Sequence, residues 1–167
     1  DVIKDLNIYY QKGKTAKHVP VFYYIARKFA ANLDPELVIY YILKTSQQFL
    51  TKKWSLVIDL TLFGQEHQIG YPWCSTLAKV MPNAAGENLD AVYLLYPNNW
   101  FKKYSKRISK LVSRQTKKIE FVTSISKLLE HIPDAEKALP ASTLAIEKNV
   151  QATFSPVTKI TQYGKKP

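Results

Sequence analysis

The chain has 167 residues, 46% hydrophobic and 22% charged, the balance of a folded domain and not of a disordered, collagenous or coiled-coil chain. Its longest apolar runs, near 21–26 and 37–43, fall far short of the roughly 20 residues that span a bilayer. Lys and Arg number 24 against 13 Asp and Glu, and the resulting net charge of +11 favours phosphate, of nucleic acid or of anionic lipid, as a partner.

In chain order, 7–11 (NIYYQ) reads as a short strand ended by the basic, turn-like 12–15 (KGKT). Residues 19–29 (VPVFYYIARKF) form a second strand, rich in aromatic and branched residues. Asp34 and Pro35 then open a helix that runs to about residue 50: the carboxylate accepts free backbone N–H bonds, and proline suits the first turn. Residues 54–61 (WSLVIDLT) are nearly all apolar, the pattern of a strand covered on both faces. A loop through Gly64 and Gly70 leads to a helix around 73–81, and 89–96 (LDAVYLLY) is another strand of the buried type. Pro97-Asn98-Asn99 breaks it and starts a long helix over 100–113. A strand at 118–123 (KIEFVT) and a short helix at 125–132 follow. Strands alternating with helices predict an α/β fold with a mainly parallel sheet.

Catalytic constellations are sparse. No G-x-S-x-G or G-x-G-x-x-G motif occurs, and the Lys12-Gly-Lys-Thr run lacks the earlier glycine of a phosphate loop, position 8 being Ile8. His18, His67 and His131 have no partner at metal-ligand spacing, so neither a metal nor another cofactor is expected. Asp59, at the end of a buried strand, is read as a group that bonds neighbouring backbone, for want of a histidine or second acid nearby. Cys74 is read as a small buried hydrophobe; as the single cysteine it forms no internal disulfide and suits a reducing compartment. An enzyme therefore has no visible site.

The informative segment is 98–118. Trp100, Tyr104, Ile108 and Leu111 recur at spacings of four, four and three, one apolar stripe on a helix. Lys102, Lys103, Lys106, Arg107, Lys110, Arg114, Lys117 and Lys118 accompany it with no acid among them. Such a helix either meets an anionic bilayer surface or closes over a lipid, or it packs permanently with a solvated basic face. No recognition-helix turn, aromatic RNP motif or zinc finger is present, so nucleic acid is not the expected partner and stands only as a rival reading carried by the net charge of +11.

Together, 21–29 (VFYYIARKF), 56–61 (LVIDLT), 90–93 (DAVY) with Asn99, Trp100 and Tyr104, then 128–132 (LLEHI) and 137–147 (KALPASTLAIE), resemble the lipid-binding module of the neurofibromin family, in the same order from about residue 8 to 157. The divergence elsewhere looks like that of a fungal Ras GTPase-activating protein. The resemblance implies a CRAL-TRIO lipid-exchange fold over 1–155, with helices flanking the sheet and a mobile lid helix at 98–113. It implies that 156–167 is a linker and the first strand of a truncated pleckstrin-homology-like domain, with the GTPase-activating domain before Asp1. The implied role is non-catalytic: to hold a glycerophospholipid in an apolar cavity beneath a basic lid, at an anionic membrane surface, in a negative regulator of Ras. The expected setting is cytoplasmic, peripheral at membranes. Ras would be met through the neighbouring domain, and the likeness allows a homodimer of the full-length protein. Residues expected to line the lipid pocket are Leu94, Tyr96, Trp100, Phe101, Tyr104, Ile108, Leu111 and Phe121; those expected to meet a headgroup or membrane are Lys103, Arg107 and Lys110. The alternative is a protein-interaction scaffold whose cavity is unused.

Overall fold

The computed structural model describes residues 2–112, 118–146 and 148, with the side chains of 110–112 outside the described set. A short helix α1 (Val2–Asp5) precedes strand β1 (Tyr9–Lys14), which pairs antiparallel with β2 (Pro20–Ile25). Residues 12–14 thus continue a strand and are not the turn expected from their composition. Gly13, at φ +67°, sits in a bulge that carries the strand on, and the turn falls at 15–18. There Thr15 Oγ1 accepts from the backbone N–H groups of Lys17 and Val19, both at 3.2 Å.

Helix α2 (Pro35–Ser46) starts as its sequence dictates: Asp34 accepts from Glu36 N at 2.9 Å, and Pro35 fills the first position. Strand β3 (Trp54–Asp59), helices α3 (Tyr71–Val80) and α4 (Asn83–Asn88), strand β4 (Leu89–Leu95), helix α5 (Asn99–Val112) and strand β5 (Ile119–Val122) follow. Helices α6 (Ile125–His131) and α7 (Ala135–Ala138) and a helical segment at 141–146 complete the described chain. Residues 156–167, expected to start a second domain, lie outside the described residues.

The sheet runs β1-β2-β3-β4-β5, with β2 to β5 parallel. Parallel strands laid down in sequence order, joined by crossovers of one hand, place successive helices on the same face. Accordingly α2, α4 and α5 contribute Val38 and Ile42, Ala85, and Phe101 to one core cluster, around Phe22, Trp54, Val92 and Leu94. The other face (Val21, Tyr23, Val57, Tyr93, Leu95) is covered by Ile125, Leu128, Ile132 and Ala135 of the C-terminal helices. No described helix is long and apolar enough to cross a membrane.

Candidate functional site

The face beneath α3 and α5 is incompletely covered. Leu56 and Ile58 project from the middle strand of the sheet, yet both remain partly accessible, as do Tyr24 beside them and Ile119 on β5. The helices above account for this. None of the ten residues of α3 is fully buried, and in α5 Phe101 is buried at 9% exposure while Tyr104 is only half-buried.

The phase of α5 is set at its first turn. Asn98 donates from Nδ2 to the Phe63 carbonyl at 2.7 Å and accepts from Phe101 N at 3.0 Å, a cap that pins the helix to the loop after β3. Phe101 and Tyr104 then pack on Phe63, with ring centroids 5.8 Å apart in each pair. The inward stripe therefore starts at Phe101, one position after the residue expected. Trp100 is 48% exposed and lies under the Lys103 ammonium, 5.7 Å from its ring centroid.

A small polar cluster sits inside this apolar layer. The Tyr104 hydroxyl donates to the Ile69 carbonyl at 2.8 Å, with Cys74 Sγ 3.0 Å away, so α5 is tied to the segment before α3. Burial pushes the Tyr104 hydroxyl and the Cys74 thiol above their ordinary pKa ranges, keeping both neutral. The Tyr24 hydroxyl has no hydrogen-bond partner although it is buried. Burial raises its pKa too, and the neighbouring Cys74 adds to the effect. An unsatisfied buried hydroxyl aimed at a loosely covered apolar face is a ready partner for a polar group of a ligand.

Of the residues expected at the pocket, the structure brings Leu94, Phe101 and Tyr104 together in one cluster. Ile108 is half-buried, and the side chain of Leu111 lies outside the described set. Besides the exposed Trp100, two placements differ from expectation. Tyr96 turns away, because its backbone enters the left-handed region at φ 56° and its ring packs on the opposite face with Tyr93 and Leu95. Phe121 shares a face with its register partner Leu94 but stands on the edge strand, 62% exposed. Lys103 and Arg107 are exposed on α5, whereas the side chain of Lys110 is not among those described. Lys118, one of the same basic run, turns inward and donates to the Gly86 carbonyl at 2.9 Å. Tyr24, Leu56 and Ile58 were not anticipated. Their signal lay in strand alternation, which becomes legible only once one face is known to be loosely covered.

Asp59 is fully buried and saturated. It accepts from Thr61 N at 3.0 Å, Thr61 Oγ1 at 2.6 Å and Thr143 Oγ1 at 2.5 Å, and pairs with Arg27 at 3.0 Å. Arg27 also donates to Ser142 and Thr143 at 2.6 and 2.7 Å. The network fastens the 141–146 helix to the sheet and leaves no lone pair for chemistry. No group of three metal-ligating side chains occurs among the described residues.

Similar proteins agree with this architecture. The model of the divergent CRAL/TRIO domain matches residues 18–149. The chain is also similar to the Protein GDAP2 homolog of Nematostella vectensis, 23% identical over 148 residues that make up 87% of this chain. It spans 30% of the length of that curated relative. With the matched segment running from the turn before β2 through the helix that anchors Arg27 and Asp59, the chain belongs to the divergent CRAL/TRIO domain family.

Proposed function

We infer that this domain is a non-catalytic lipid-binding module. It holds one glycerophospholipid with its acyl chains against Leu56, Ile58 and Leu94, beneath α3 and α5. The observation that carries the reading is the incomplete burial of Leu56 and Ile58, central-strand side chains on a face that the three strand-to-strand crossovers cover. Each acyl methylene buried there contributes about 0.8 kcal/mol, so partial coverage of two chains suffices for firm retention. Tyr24 supplies a buried hydroxyl with no hydrogen-bond partner, suited to an ester oxygen. Lys103 and Arg107 face outward on α5, where they meet phosphate at a membrane surface.

Phe63, Phe101 and Tyr104 fill the space directly under the first half of α5, so lipid enters when α5 swings away. Following the resemblance to neurofibromin, we further propose that the loaded module keeps a neighbouring GTPase-activating domain close to Ras at the membrane. The test is native mass spectrometry of protein expressed in cells. Co-purifying phospholipid, lost in Leu56→Trp with the fold intact by circular dichroism, is the expected result. A consistently empty wild-type protein would refute lipid binding and favour the scaffold reading. For the Ras role, a membrane-recruitment assay of the full-length protein should lose GTPase stimulation in the same variant.

A further inference from the structure

A second site lies at the edge of the sheet where β2 and β3 begin, away from α3 and α5. A cavity of about 460 Å³ opens there, within the size range of small-molecule sites. Lys14, His18, Gln48, Thr51, Lys52 and Lys53 line it, and no carboxylate does. Among the described residues, none of the side chains of Lys14, His18, Lys52 and Lys53 forms an ion pair or hydrogen bond. Three permanent cations and a histidine therefore surround one concavity unneutralised, which focuses positive potential within it.

The frame that carries these groups is fixed on both sides. Lys14 and His18 flank the turn closed by Thr15, whose N–H bonds the Val19 carbonyl at 2.8 Å, and His18 is held in the left-handed conformation at φ 64°. Facing them, the 47–53 segment is anchored by buried Leu50, whose carbonyl accepts from Asn88 Nδ2 at 2.8 Å. Half-buried Phe49, packed edge-on against Phe22 at 5.2 Å, and buried Val19 form the apolar floor. Gln48 and Thr51 add neutral donors between the cations.

We propose that this cavity binds a multiply charged phosphate group: ammonium donors on a rigid frame, neutral donors between them and an apolar floor match a phosphorylated ring polyol. The group is carried either by a lipid headgroup or by a soluble phosphate ester, and the experiment separates the two. Inositol 1,4,5-trisphosphate is titrated calorimetrically into the wild type, Lys52→Ala/Lys53→Ala and the charge-matched control Lys79→Ala/Lys127→Ala. Flotation with phosphatidylcholine vesicles, with and without 5 mol% phosphatidylinositol 4,5-bisphosphate, runs in parallel. Expected is binding weakened at least tenfold in Lys52→Ala/Lys53→Ala and unchanged in the control. Loss confined to the vesicle arm assigns the site to a lipid headgroup, and loss confined to the soluble arm assigns it to a free ester. Absence of binding in both arms, or equal weakening by both double variants, would overturn the site. Because no lining residue belongs to α3 or α5, either outcome leaves the proposed acyl-chain site beneath those helices to be judged by its own test.

Discussion

Tyr24 and Asp59 are opposite cases of a buried polar group, and they predict opposite responses to mutation. Asp59 has four partners, and the Arg27 side chain paired with it is only 12% exposed. Asp59→Ala strands that guanidinium and frees the 141–146 helix, so it should destabilise the fold by about 3–5 kcal/mol in urea melts. The Tyr24 hydroxyl has no partner to lose. Tyr24→Phe should therefore raise stability by about 1 kcal/mol while lowering the fraction of lipid-loaded protein seen by native mass spectrometry. A fall in stability would mean that the hydroxyl is satisfied in the folded protein.

Among the elements, α5 carries the functional argument, because its contacts divide cleanly. Phe101 and the Asn98 cap fix its start; further along, the half-buried Tyr104 ties it to the Ile69 carbonyl. Tyr104→Phe removes that tie and keeps the ring. It should cost about 1 kcal/mol of stability and speed lipid transfer between vesicles several-fold, read by a fluorescent-lipid exchange assay. Unchanged exchange would show that the hinge lies elsewhere. The helix was legible in the sequence from its periodicity and from the Pro97-Asn98-Asn99 break. Its rotation was not, because Trp100 and Phe101 are both aromatic and adjacent. Only the bond from Asn98 to the Phe63 carbonyl, a contact across 35 residues of chain, selects the second.

For the whole molecule, the net charge is +11, and among the described residues Lys14, Lys52, Lys53, Lys103 and Arg107 are exposed, so their attraction for anions is sensitive to salt. Association with anionic vesicles should be strong at 0.05 M salt and largely lost near 1 M, where the screening length falls from over 10 Å to about 3 Å. Lys103→Ala/Arg107→Ala should weaken it at low salt without changing lipid content. Salt-insensitive binding would point to apolar insertion instead.

The alternation of strands and helices, the Asp34–Pro35 start of α2 and the buried character of β3 and β4 were determined by the sequence alone, since each rests on neighbours within a few residues. The same local rules could not say which set of β4 side chains meets the long helix. Val92 and Leu94 and their alternates Tyr93 and Leu95 are equally apolar, and both faces of the sheet are covered. That choice, the turn of Tyr96 to the opposite face, and the meeting of Lys14 and His18 with Lys52 and Lys53 belong to the tertiary structure. They follow from strand order and crossover hand, which bring distant segments together at a sheet edge that no local periodicity records.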